Sequence, residues 1–387
     1  MEKSKALTYT RGFYLLYFRA VGCIFPYLNL YYQRIGLSGL QIGILAAIPA
    51  LVVPFASPLW GIVADSLNLH RTLLSLAVAG TIIPVLLLSA SGAMIWLVPV
   101  TLVYAFFYGP IGPLIDSTAL EVAEASRRSY GELRVWGTIG FIASAWALGR
   151  IMESTGLRLL FCGCALFMLG TLALSRFLPP RGQQWRGPRL RGLGVLLADR
   201  VLVLFLVSVF LLSATVAAGN NFFTLYLDGL GASEALVGLS WAIAALSEVP
   251  VMFLSGVLMR RLAARGLLFV GFAVYALRWF LYSQITSLQM ILAVQLLHGL
   301  SFGAYYVGGV VYTRERAAEE LSATAQALFS GTALGLAGIV GGVLGGYLYD
   351  RVGVMNLFRF CGLAATFALV LFLLTPSRRG LESVDSP

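Results

Sequence analysis

The stretch YGELRVWGTIGF (130–141) puts Glu132 and Arg134 at the mouth of an apolar run that continues through Ile142–Leu148. The run itself is apolar enough to enter lipid, so the two charges are what needs explaining. Their meaning depends on the chain around them. Of 387 residues, 59% are hydrophobic and 11% charged, whereas soluble domains carry about 25% charged residues. Such a chain is an integral membrane protein. A span needs about 20 mostly apolar residues to cross roughly 30 Å of hydrocarbon. Twelve segments qualify, near 12–33, 41–64, 72–91, 94–118, 131–152, 157–178, 200–227, 235–259, 266–285, 288–312, 321–347 and 352–375, and they are numbered below as spans 1 to 12. Span 1 is too long and too aromatic for a cleavable signal, and no small-residue cleavage site follows it.

The longest linker, PPRGQQWRGPRLRGLGVLLAD (179–199), is basic, rich in Pro and Gly, and divides six spans from six. The expected fold is therefore an all-α polytopic membrane protein with twelve transmembrane helices in two six-helix bundles. The bundles cover residues 1–178 and 200–376, with a short tail at 377–387. GIVADSLNLHR (61–71) after span 2 has a faint echo in SGVLMRRLAARG (255–266) after span 8, as internal repeats in secondary transporters do. Glycine clusters such as GTALGLAGIVGGVLGG (331–346) let helix backbones approach. Pro49, Pro54, Pro58, Pro110 and Pro113 predict kinks.

The net charge of +10 follows topology. With both termini placed in the cytoplasm, 19 of the 27 Lys and Arg fall in cytoplasmic segments, in keeping with the positive-inside rule. Basicity therefore orients the chain in the cell's inner (plasma) membrane, and nucleic-acid binding is not expected. Cys23, Cys162, Cys164 and Cys361 lie within apolar runs, where cysteine behaves as a small hydrophobe. There are only two histidines, His70 and His298, and no His-Glu-x-x-His, Walker-type or Cys-x-x-Cys stretch. No enzyme activity, metal or cofactor is expected, nor is transport powered by ATP on this chain alone.

An Arg or Asp at a span centre costs about 2.5–3.5 kcal/mol on insertion scales, so it normally faces a partner or a watery cavity. Six such side chains occur: Arg19, Asp116, Arg134, Glu248, Arg278 and the titratable His298. Helical spacing puts Phe141 on the face of Arg134 and Trp241 on that of Glu248. It also aligns Tyr275, Arg278 and Tyr282, and His298, Ser301 and Tyr305. Each stripe either lines a shared cavity or consists of structural ion pairs and packed aromatics. Asn221, with Asn220 and Thr224, is a candidate for ligand or helix-to-helix hydrogen bonds. Asp116, on the neighbouring span, is the expected charge partner of Arg134, and Glu132 is either functional or simply solvated.

These residues resemble the major facilitator superfamily, and within it the lactose, nucleoside and phenylpropionate permease group. The likeness runs through SRRSYGELRVWGTIGF (126–141), GIVADSLNLHR, NNFFT (220–224), SEVPVMF (247–253), ALRWF (276–280) and LLHGLSF (296–302). The resemblance implies that Arg134 binds substrate and that Phe141 stacks on it. It further implies that Glu248 and His298 help bind, that Arg278 belongs to the proton-coupling cluster, and that Gly61, Asp65 and Arg71 belong to a gating loop. Asp116, Asn221 and Tyr305 complete the expected substrate site; Glu248, Asp116 and His298 are the proton-coupling candidates, with Glu248 first. The chain departs from the lactose permease at Ser301, Ser213, Val216, Gln295 and Leu334, where that group carries charges, and at Ser66 and Asn68 in the loop. The expected function is alternating-access transport of a small polar organic solute (sugar, nucleoside or aromatic carboxylate), by a monomer in the lipid bilayer with a proton as coupling ion. The alternatives are an exporter of amphipathic compounds and a non-transporting receptor.

Overall fold

Glu234–Tyr282 runs as one helical segment of 49 residues. At 1.5 Å per residue that is about 70 Å, more than twice the hydrocarbon thickness. Ala263, at φ 53 and ψ 175, breaks it into spans 8 and 9. Ala337–Leu373 is divided in the same way at Gly353, whose φ is 77, so it carries the end of span 11 and all of span 12. Positive φ is strained for any residue with a Cβ, which is why glycine suits the second turn and alanine does not suit the first.

The computed structural model describes residues 3–90, 92–179 and 192–375; most of the 179–199 linker and the tail lie outside them. Among the described residues, nine segments are long and apolar enough to cross a membrane. Two of these hold two spans each, and Leu159–Ser175, a shorter apolar helix, is span 6. The twelve spans of the sequence are accounted for, and no described residue is in a strand.

Several spans are interrupted. Span 1 breaks between Lys3–Ile24 and Leu28–Arg34, span 4 between Met94–Tyr108 and Ile111–Ala125, and span 10 between Leu288–Gln295 and His298–Arg316. In span 11, Gly331–Leu336 is a π-helical turn. The prolines act unequally. Pro110 sits at the span 4 break, and Pro113 falls in the first turn of the helix that follows, where its missing N–H has no partner to lose. By contrast Gly39–Leu67 runs uninterrupted through Pro49, Pro54 and Pro58, so kinks strong enough to end a helix do not arise there.

The chain forms two compact units, Met1–Gly187 with Asn221–Leu246, and Pro188–Asn220 with Ser247–Pro387. In the first, span 1 packs on spans 5 and 6, span 3 on spans 4 and 6, and span 2 on span 4. The far ends of spans 7 and 8 belong to this unit too. Thr224 Oγ1 donates to the Pro26 carbonyl at 2.9 Å, Tyr27 OH donates to the Ala145 carbonyl, and Arg34 pairs with Asp228 and, at 3.6 Å, with Glu234.

Candidate functional site

Span 5 starts with Ser129 as N-cap: its hydroxyl accepts from the Glu132 N–H at 3.2 Å, while the Glu132 carboxylate accepts from the Ser129 N–H at 3.4 Å. This reciprocal capping satisfies two donors at a helix start and fixes where Arg134 enters the bilayer. Glu132 therefore has a structural role. Its contact with Arg128 is exposed on both sides and contributes little.

Arg134 Cζ lies over the Phe18 ring, 3.9 Å from its centroid, with Tyr14 at 5.8 Å. Gly137 makes room for this: a Cβ there would stand 2.7 Å from Arg134 Nη1 and 2.7 Å from Phe18 Cδ2. Asp116 is not the partner expected for Arg134. Its Oδ1 accepts a hydrogen bond from Tyr14 OH at 2.6 Å, with Tyr130 beside both, and no carboxylate forms an ion pair with Arg134 among the described residues. The physical reason is that the buried Tyr14 on span 1 donates to the carboxylate, while the guanidinium has the Phe18 ring against it. Phe141, half-buried on the same face, lies 6.3 Å from Phe25, and Phe25 lies 4.9 Å from Trp241. Trp241 Nε1 donates to Thr224. Asn221 uses its carbonyl to accept from Asn29. Arg19 sits over Phe167.

After span 2, Asp65 pairs with His70 Nε2 at 2.8 Å; Asn68, in the left-handed region, caps the preceding helix, and Arg71 is exposed. Histidine thus stands beside the signature aspartate.

In the second unit, His298 opens the latter half of span 10, with its Nε2 3.2 Å from Glu248 Oε1. The neighbouring Ser247 hydroxyl accepts from the Gly299 N–H at 2.8 Å, which anchors span 8 to this helix start. A helix N-terminus favours a nearby carboxylate. The Glu248 side chain retains 29% of its exposure, so this carboxyl is paired and partly open instead of fully desolvated. Stacked on His298 are Phe302 and then Tyr306.

Arg278 is 2% exposed. It donates to Ser301 Oγ at 2.7 Å, Gln295 Oε1 at 2.9 Å and Tyr282 OH at 3.3 Å, among the rings of Tyr275, Trp279 and Tyr282. Ser301 and Gln295, two of the neutral departures, are therefore the acceptors of a buried cation. Ser213, a third, bonds Tyr305 OH at 2.7 Å, and Tyr305 is buried among Phe272, Tyr275 and Phe329. An open hollow of about 750 Å³ lined by Arg314, Glu315 and Gln326 lies at the far end of span 10, away from these groups. Sequence reasoning misses Tyr14, Phe18 and Phe25; only the density of aromatic residues in span 1 points to them.

The fold is that of the major facilitator transporters. A mutant of the nucleoside transporter NupG superposes with a TM-score of 0.88 over 96% of this chain and 100% of that one, at 17% identity, a likeness that speaks to fold alone. The model described as the MFS_1 like family matches residues 7–360, and the chain belongs to that family. A maltose permease of Geobacillus stearothermophilus is 31% identical, covering 95% of this chain and 93% of that protein. A probable 3-phenylpropionic acid transporter of Escherichia coli (strain K12) is 28% identical over 88% and 90%. The protein is a multi-pass membrane transporter of the sugar, nucleoside or aromatic acid type.

Proposed function

We propose that the protein is a proton-coupled symporter that imports a small polar organic solute across the inner (plasma) membrane by alternating access, with both termini in the cytoplasm. The observation that carries the coupling is the Glu248–His298 contact at a helix start. Protonating a carboxylate removes the charge that an imidazole donor and a helix N-terminus attract, so a proton on Glu248 changes how span 8 holds span 10. Arg278, always charged, bonds Ser301 three residues beyond His298, so a fixed cation stands next to this contact. On the other half, Arg134 offers a rigid fork for substrate oxygens, and Phe141 an apolar surface beside it. The names of the relatives, a maltose permease and a probable 3-phenylpropionic acid transporter, fit a solute with hydroxyls or a carboxylate. The distribution of Lys and Arg supports the orientation.

Uptake of radiolabelled maltose, uridine and 3-phenylpropionate into proteoliposomes, with and without an inward proton gradient and against protein-free liposomes, tests this. Accumulation of one solute that needs the gradient and collapses with a protonophore is expected. Protein-dependent uptake that is equal with and without the gradient would remove the coupling.

A further inference from the structure

The first unit's membrane-embedded ionisable groups are unbalanced: two guanidinium groups, Arg19 and Arg134, against one carboxylate, Asp116. That carboxylate is held by Tyr14 OH at 2.6 Å. Tyr14 is fully buried, so water does not compete for its hydroxyl. Arg134 is left with Phe18 at its face. A guanidinium carries its N–H donors in its own plane, where they match the two oxygens of a carboxylate. Nη1 lies over Gly137, only about 6 Å of helix rise short of Phe141. Beyond Phe141 comes Phe25, 52% exposed, backed by Trp241.

We propose that Tyr14 is a positioning residue that sets the charge of the ligand: by holding Asp116 it leaves Arg134 without an ion-paired carboxylate, and the site takes a monocarboxylate whose short chain carries an aromatic or other apolar body onto Phe141 and Phe25. A neutral glycoside or nucleoside leaves that charge unbalanced; an organic anion balances it and completes the fork. Were Asp116 free to pair with Arg134, the same residues would present donors and acceptors together and suit a neutral polyol. The proposal rests on the reading of Arg134 as the substrate clamp of a transporter.

The test is titration calorimetry on the purified full-length protein with 3-phenylpropionate and its neutral isostere 3-phenylpropionamide, followed by maltose and uridine. The wild type is expected to bind the acid about 30-fold or more tightly than the amide, and Arg134→Gln to lose that ratio. Tyr14→Phe, which removes one hydroxyl, is expected to cut the ratio about tenfold by releasing Asp116 to Arg134. A structural role for Tyr14 would instead weaken both ligands alike and leave the ratio unchanged, which overturns the assignment of Tyr14. Equal binding of acid and amide, no binding of either, or binding confined to maltose or uridine overturns the ligand class even where proteoliposome flux of those solutes shows that the transport reading stands. Selective acid binding without flux upholds the ligand class while the transport reading fails.

Discussion

Replacing Gln295 by Leu is expected to destabilise the protein more than replacing Arg278 itself. Gln295 Oε1 accepts from Arg278 at 2.9 Å and from Tyr282 OH at 2.7 Å. Gln295→Leu keeps the buried cation and removes both bonds. A hydrogen bond from a charged donor contributes about 1.5–3 kcal/mol and a neutral one about 1 kcal/mol, so the loss is about 2.5–4 kcal/mol, with a charge left short of acceptors. Arg278→Met fills much of the same space with a flexible apolar chain. The Tyr282 to Gln295 bond survives, Ser301 Oγ still donates to the His298 carbonyl at 3.0 Å, and the burial penalty of the charge disappears. The net effect is about 0–2 kcal/mol. Thermal unfolding in detergent, followed by intrinsic fluorescence at one scan rate, reads the difference. The Gln295→Leu midpoint is expected to fall by several degrees, and that of Arg278→Met by less. A lower midpoint for Arg278→Met than for Gln295→Leu would refute the reasoning, because the guanidinium would then stabilise the fold in its own right instead of being retained for function.

Three further substitutions probe separate parts of the account. Gly137→Ala sets a Cβ 2.7 Å from Arg134 Nη1 and should weaken ligand binding about tenfold, as displacement of one charged bond does, while the unfolding midpoint moves little; calorimetry and a thermal scan together check it. Ala263→Gly relieves a backbone at φ 53 and ψ 175 and should stabilise the protein by about 1 kcal/mol, read as a raised midpoint. Arg34→Gln removes exposed pairs with Asp228 and Glu234, so stability should change by less than about 1 kcal/mol. Opening of that end should nonetheless quicken, seen as faster maleimide labelling of a cysteine placed at Asn29 in a background without the native cysteines.

The spans were legible because an apolar run of about 20 residues has few alternatives to a membrane helix. The turns were less so: Ala263 carries no turn chemistry, yet its backbone leaves the helix at φ 53. Ser129 and Glu132 do show their reciprocal cap as a Ser-x-x-Glu spacing, a signal overlooked when Glu132 is weighed only as functional or solvated. The positions of Arg134, Phe141, Glu248 and His298 follow from helical spacing and resemblance, but their partners do not. Which acid Arg134 meets depends on the rotamer and reach of Tyr14, which is more than 100 residues away in sequence. Likewise Ser301 and Gln295 look like losses of charge until they are seen to accept from the buried Arg278.

The central claim, that Glu248 carries the coupled proton, is tested most directly by comparing wild type with Glu248→Gln in proteoliposomes loaded with the transported solute. The glutamine side chain keeps a hydrogen-bonding partner for His298 but cannot ionise. The account predicts that the variant still exchanges labelled solute across the membrane with none of the wild type's uphill accumulation under a proton gradient. Full gradient-driven accumulation by Glu248→Gln would contradict it.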